Sequence, residues 1–438
     1  MQTGTTFETV YSHSAGIDIG TERIFVSPNG VSVVHFETFT ADYLRCIQYL
    51  KEQSIKRVAM EATGVYWIAL YELLEQHGIE VCLVNPKEVK QVKGRKSDVK
   101  DCQWIQKLFS AGLLRESYIP SGKLKELRML VREREDVIEM GSCYVNKMEK
   151  ALELMNIKLN NVISQLHGVS GLKMIKAILE GERDPEKLLA LCNSRIIKNK
   201  SERVKKALEG HYNETWLFLL EQNLKMWNQH QDHLLVIDKK IEVLLSELNQ
   251  GKPTIISETK EKAIRHHKPN VEQLHQKILN LYGVNVSTLS GLTDYSLLRL
   301  VGETGPELSR FPTAKHFVSW CQLSPRNSQS GKISRKIKLK NKSKAGQVFR
   351  EAAQSLLQSK KTAIGAFMRR IRSKKGAFIA IKAGARKIAT AYYNIITKGY
   401  EYVEKGIRDY EAKLEARELR LLELLANKHQ VLLNYQQK

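Results

Sequence analysis

The strongest constraint on the fold is a ladder of apolar residues in the middle of the chain. From Leu124 through Leu127, Val131, Ile138, Val145, Met148, Leu152, Met155, Leu159 and Val162 to Leu166, core-type positions recur in alternating steps of three and four, with Arg134 and Gly141 as weak rungs. Such steps keep one stripe of a helix facing a partner, and about six heptads of them predict a coiled coil. A second ladder with seven-residue spacing, Leu220, Trp227, Leu234, Ile241 and Leu248, predicts another long helix. Spacing alone leaves two arrangements open: a hairpin within one chain, or pairing between chains.

Upstream of the ladder the texture is different. AGIDIG, RIFVSP and VSVVHFETF read as three short strands, the last two separated by a Pro-Asn-Gly turn at 28–30. A helix (ADYLRCIQYLKEQ), the strand KRVAM, a helix (VYWIALYELLEQHG) and the strand IEVCLVN follow. Three hairpin-like strands followed by alternating helix and strand is the order of an RNase H-like α/β domain. A chain of 438 residues has room for several domains. The expected division is this RNase H-like α/β domain at 14–120, a helical coiled-coil and linking region at 121–280, a mainly α domain at 281–400, and a C-terminal helix at 401–438. Residues 170–212 carry no functional signal. GVNVSTLSGLTDYSLLRLVGETGPELSRF, from Gly283, fits either a helix-hairpin-helix-like element, which would offer backbone N–H groups to phosphates, or a plain helical hairpin. The tail YEAKLEARELRLLELLANKHQ reads as an amphipathic charged helix that packs.

Charge narrows the function. The chain carries 70 Lys and Arg against 47 Asp and Glu, a net +23, which points to a polyanionic partner. Between Arg326 and Lys398 there are 20 basic residues and one acid, Glu351, so that stretch alone carries +19. Charge concentrated in this way is what a phosphate-binding surface needs. The six cysteines form no Cys-x-x-Cys pair, which argues against a zinc site or a disulfide framework. With no signal-like start and no apolar run of membrane-spanning length, the expected location is the cytoplasm.

Four carboxylates stand where such a fold would use them. Asp18 lies mid-strand in GIDIG, where the small neighbours are expected to leave room for a metal and a phosphate. Glu61 ends the KRVAM strand in AMEATG, and open sheets place ligands at strand C-termini. Asp98 and Asp101, in KSDVKDCQWIQ, are three apart at a helix start and share a face. Clustered carboxylates repel unless cations neutralise them, and hard oxygen ligands suit Mg²⁺ or Mn²⁺. GIDIGTE also looks like the first phosphate loop of actin-like and sugar-kinase ATPases. Those need a second Asp-Gly loop and a Gly-Gly adenosine motif, and neither is present. Further on, LSPRNSQSGKISRKIKLKNKSKAG sets Ser330 before Gly331 in an expected loop. The basic residues around it, Arg326, Lys332, Arg335, Lys336, Lys338, Lys340, Lys342 and Lys344, are candidates for binding nucleic-acid backbone. A serine hydroxyl is inert until a base or a field of cations favours its alkoxide. His316, close in sequence, reads as structural.

GIDIG, AMEATG, KSDVKDCQWIQKLFSAGLLR and RFPTAKHFVSWCQLSPRNSQSG, in this order, resemble the DEDD transposases of bacterial insertion sequences. These are bridge-RNA-guided recombinases with a RuvC-like domain, and the match is to the subgroup whose elements carry subterminal inverted repeats. The resemblance implies that Asp18, Glu61, Asp98 and Asp101 are the four metal-holding acids. It also implies that Ser330 attacks DNA and holds a phosphoserine intermediate. Donor and target DNA, a bridge RNA and a homodimer that pairs into a tetramer are the implied partners, with acids of one subunit completing a site with the serine of another. The lysine-rich KISRKIKLKNKSK after Ser330 departs from the family's pattern. A RuvC-like endonuclease using metal-activated water is the alternative; it needs the acids but not the serine. A non-enzymatic nucleic-acid scaffold needs neither.

Overall fold

Strands β1 (Ser14–Ile19), β2 (Arg23–Ser27) and β3 (Val34–Glu37) form an antiparallel meander, then α1 (Thr40–Glu52) leads to β4 (Arg57–Glu61). Next come α2 (Trp67–Gln76), β5 (Glu80–Val84), α3 (Pro86–Val89) and α4 (Asp98–Ser110). The computed structural model describes residues 8–62, 64–89, 98–256, 261–325, 327–330, 333–336 and 342–431. Sheet order is β3-β2-β1-β4-β5, with β1, β4 and β5 parallel. The helical crossovers α1 and α2 make the parallel pairing possible, since parallel strands cannot be joined by a tight turn. The sheet's two faces carry different cores. Ile17, Ile24, Val58, Met60, Leu70 and Leu74 pack on one, and Ala59, Val84, Ile105 and Phe109 join α4 on the other. The chain divides here into two compact units, Met1–Ile119 and Pro120–Lys438.

The second unit is built on two long helices, α5 (Lys123–Leu154) and α9 (Glu214–Leu248), joined through the short helices α6 (Val169–Leu179), α7 (Pro185–Ala190) and α8 (Ser194–Leu208). They run antiparallel within the one chain: Lys123 pairs with Glu247, Arg134 with Asp238, and the Tyr144 ring meets His230. The two ladders therefore face each other as a hairpin. The first is shorter than its spacing predicts. α5 stops at Leu154, Asn156 takes a left-handed φ of 59°, and Leu159, Val162 and Leu166 turn into a separate core shared with α6, α7 and α8. Asn tolerates that backbone conformation better than most residues, so a three-four rhythm runs on across a helix break that periodicity cannot register.

Arg134, the charged rung, is buried to 1% exposure. Its Nε donates to Asp238 Oδ1 (2.5 Å) and its Nη2 to the His267 carbonyl (3.0 Å), while the Asn270 N–H donates to Asp238 Oδ2 (2.8 Å). Removing one partner from such a pair leaves an uncompensated buried charge, at about 3–5 kcal/mol.

Beyond the hairpin the chain adds α10 (Leu274–Tyr282), α11 (Asp294–Thr304), α12 (Ala314–Trp320), the ribbon β6 (Asn327–Ser330) and β7 (Ile333–Lys336), then α13 (Lys344–Leu356), α14 (Ala363–Lys375), α15 (Ala377–Lys398) and α16 (Tyr400–His429). Side-chain oxygens of Thr293, Thr313, Ser343 and Thr362 cap α11, α12, α13 and α14, each meeting backbone N–H groups that the first turn leaves unpaired. Phe317, Phe349 and Tyr392 meet at the centre of this core, and Tyr282 and Tyr392 share a hydroxyl hydrogen bond (2.6 Å). The connection from α10 to α11 is tied inward, with Lys262 Nζ donating to the carbonyls of Ser287, Leu289 and Leu292. Among the described residues, no helix is long and apolar enough to cross a membrane.

Candidate active site

The parallel register of β1 and β4 pairs Gly16 with Ala59 and Ile17 with Met60. One step further the same register sets Asp18 beside Glu61, at the C-terminal ends of both strands and on the same face as Gly16 and Ala59. That face is the one α4 covers. A Cβ built on Gly16 would lie 2.3 Å from the Cys102 carbonyl oxygen and 2.4 Å from the Gln106 backbone nitrogen. The helix backbone thus rests directly on β1, and Gln106 Nε2 donates to the Ser14 carbonyl (3.2 Å). The sequence expectation that small residues beside Asp18 leave room for a metal and a phosphate is corrected at Gly16, where the space is filled by α4.

α4 also carries the two remaining acids. Asp98 opens α4 as expected, and Asp101 stands half-buried in the same first turn, where the helix N-terminus favours negative charge. The pKa of the Cys102 thiol is pushed up to about 12, first by burial, then by the charge of Asp18 and, least, by that of its chain neighbour Asp101. Both carboxylates therefore act on one buried sulfur. Glu61 is itself buried, at 9% exposure. Among the described residues no three His, Cys, Asp or Glu side chains form a metal-holding group. Asp98's side chain, the fourth acid, lies outside that set. By chemistry the four candidates fit a hard divalent cation, since all are carboxylates.

In the second unit, Ser330 is the last residue of β6 and pairs with Ile333 of β7. The expected loop is thus a β-hairpin on this side of a largely helical unit. Arg335 and Lys336 belong to β7, and Lys342 and Lys344 are exposed just before and at the start of α13. Arg326, Lys332, Lys338 and Lys340 lie outside the described residues. The hairpin's foot is held tightly. A Cβ on Gly346 would sit 2.0 Å from the Cys321 carbonyl oxygen, so the first turn of α13 is pressed onto the end of α12. Lys344 Nζ reaches Glu135 Oε2 on α5 (3.2 Å), and Glu135 also binds Arg299 of α11, whose Nη1 donates to Glu351 (2.5 Å). His316 Nδ1 is bonded to Thr313 Oγ1 (2.8 Å) at the start of α12, in keeping with a structural role.

Two comparisons bear on this arrangement. A DEDD transposase model of the IS110 type matches residues 15–157, and the model of the IS116/IS110/IS902 transposase family matches residues 284–369. Together they span just over half of the chain and both units. The chain belongs to the IS110 family of DEDD transposases. No curated protein matches it. The first matched segment of this transposase holds Asp18, Glu61, Asp98 and Asp101, and the second holds Ser330 with its hairpin.

Sequence reasoning missed the groups that build these two places rather than those that would react in them: Gly16 and Gln106 under α4, and Glu135, Arg299 and Gly346 under the hairpin. Gly16 left one trace, its offset of two from Asp18, which puts it on the same strand face. Glu135 and Arg299 left none, because 164 residues separate them.

Proposed function

We infer that this transposase is a recombinase that cuts and rejoins donor and target DNA with Asp18, Glu61, Asp98 and Asp101 on an RNase H-like domain and with the hydroxyl of Ser330. The observation that carries the reading is the β1–β4 register, which sets Asp18 beside Glu61 at the strand ends, on the face that α4 covers. The sheet order β3-β2-β1-β4-β5 supports the RNase H-like assignment.

The four acids would hold Mg²⁺ or Mn²⁺, which supplies positive charge against the scissile phosphate. The protein's own part is positioning. Burial of Glu61 fixes it on the sheet beside Asp18, and the contact of α4 with Gly16 holds the helix that carries Asp98 and Asp101 against the same face. Ser330 Oγ forms a bond to phosphorus as the P–O bond to one strand end breaks. The phosphodiester energy is thereby kept in a phosphoserine, ready for rejoining. The basic residues of the hairpin and of α14 and α15 bind backbone phosphates of DNA and of a bridge RNA, whose base pairing reads the sequence. Multimers place acids of one subunit with the serine of another. The division at 14–120, 121–280, 281–400 and 401–438 follows these roles: acids, spacer helices, serine with its basic surface, tail.

Ser330→Ala tests the reading. Transposition and the covalent protein–DNA adduct are expected to vanish while DNA binding stays. Undiminished strand transfer by the variant would remove the serine and leave the alternative, a RuvC-like endonuclease using metal-activated water. That alternative draws on one observation: the acids stand in a unit with cores of its own.

A further inference from the structure

α14 and α15 fold back on each other through a single residue, Gly376, whose φ of 82° suits glycine and few others. Along their arms the two helices pack closely: a Cβ on Gly384 would fall 2.3 Å from the Met368 sulfur. At the turn, a Cβ on Gly376 would meet nothing within 4 Å, so the tip stands in open space.

Two features coincide there. Arg372, Lys374, Lys375 and Lys382 are exposed around the turn, and no acid occurs between Glu351 and Glu401 in the sequence. Among these cations an apolar ring faces water. Phe378 is 72% exposed and Ile379 beside it 42%, whereas Phe367, on the arm of α14, packs against the core. Lys382 Nζ lies 4.4 Å from the centre of the Phe378 ring, which sets a cation on one face and leaves the other to water.

Cations alone serve a phosphate backbone and gain nothing from a phenylalanine between them. A ring set among them matches a ligand with a flat apolar face next to its negative charge, and a nucleotide is one: a base to stack and a phosphate to pair. In a continuous duplex each base face is covered by its neighbours, so the ring reaches one only where the stack is open. An anionic membrane also takes cations and an aromatic ring, but the substrate of a transposase is DNA.

We propose that Phe378 is a base-stacking residue, taking an unpaired base on its open face while Lys374 and Lys375 hold the adjoining phosphates. The base belongs to DNA at a branch or to RNA in a loop. This rests on the reading that α14 and α15 bind nucleic-acid backbone, and it adds what the tip recognises beyond charge.

The test measures binding of the full chain, without divalent metal, to three labelled probes by fluorescence anisotropy: a continuous DNA duplex, the same duplex with a single-stranded branch, and an RNA stem with an unpaired loop. Phe378→Ala is expected to weaken binding about tenfold to the branched DNA or to the looped RNA, which identifies the source of the base, and to leave the duplex unchanged. Its thermal unfolding should not move, since the ring is exposed. Phe378→Trp should keep the affinity, and Phe378→Leu should not, because leucine keeps apolar bulk without a π face. Lys374→Ala with Lys375→Ala should weaken all three complexes and flatten the log–log salt slope by about two. If the lysine pair changes nothing, the backbone reading of this hairpin fails and the proposal with it. If the lysine pair matters and Phe378→Ala does not, the stacking proposal alone is overturned. Equal loss on the duplex, or full affinity in Phe378→Leu, overturns it as well. So does Phe378-dependent binding to phosphatidylglycerol vesicles in preference to every probe, which would make the tip a membrane contact. No arm of the test depends on Ser330 or the four acids, so failure of the recombinase chemistry leaves it untouched.

Discussion

Asp18 and Glu61 stand on strands whose residues are nearly all buried, in the middle of a five-stranded sheet, whereas Ser330 ends a two-stranded ribbon in the connection from α12 to α13. A lone two-stranded ribbon is marginal in water and takes its position from whatever grips its ends. The acids are thus held by a hydrophobic core, and the serine by the close contact of Gly346 with Cys321 and by the chain of ion pairs through Lys344, Glu135 and Arg299. On the proposed roles, the difference suits a division of labour: carboxylates that hold a metal need fixed spacing, and a serine that bonds to DNA needs room to shift with it. In both places a glycine permits backbone to lie on backbone, and that common device is where the comparison is most easily broken.

The largest effect is expected from those glycines. Gly16→Ala and Gly346→Ala each force a methyl group into another segment's backbone, which cannot swing aside as a side-chain end would. Each should cost about 3 kcal/mol. Calorimetry should show the first lowering the transition of the N-terminal unit and the second that of the C-terminal unit. If Gly346→Ala leaves its transition unmoved, the hairpin's foot is not held as described. Next, Glu135→Gln takes a shared carboxylate from two cations at once, one of them the largely buried Arg299, which keeps Glu351, and should lower the stability of the second unit by about 2 kcal/mol. Lys344→Ala breaks only a half-exposed pair and should cost about 0.5 kcal/mol in denaturant unfolding. Equal losses for the two would mean that Lys344 is the real anchor.

The smallest effect compares the two cores through their thiols. Burial pushes Cys46 up to about 12 in the sheet unit and raises Cys321 in the helical unit, where Arg350 pulls partly the other way. Both folded thiols keep a proton that the unfolded chain gives up near its ordinary value of 9.0. Their contribution to stability is therefore complete below that value and declines as pH rises from 9.0 towards 12. Thermal unfolding across that range should show both transitions falling. Exposed Cys143 should react with an alkylating agent in the folded protein while Cys46 and Cys321 do not.

Much of this architecture was legible in the chain. Strand and helix order from AGIDIG to IEVCLVN follows from periods of two and of 3.6, and the ladder of Leu220, Leu234 and Ile241 marks α9 because buried positions must repeat with the helix turn. The candidate acids were legible because three of them fall at ends of predicted elements. Asn156 was not read as a break, since its left-handed turn interrupts the helix without interrupting the rhythm of apolar residues. Ser330 was read as a loop because β6 and β7 are polar and each four residues long, too short to show alternation.

By itself the sequence determined most of the strands and helices and where positive charge is concentrated, and it nominated four carboxylates and a serine as candidates. These depend on local periodicity, local composition and motif order. Tertiary structure alone decided that the α5 stripe faces α9 of its own chain, that Gly16 serves a helix rather than a ligand, that Arg134 finds Asp238, and that the leucines of α16 are left facing water. Each of those is a choice among partners distant in the chain, settled by which surfaces can be buried together and which charges neutralised. Spacing along one segment carries no information about that choice.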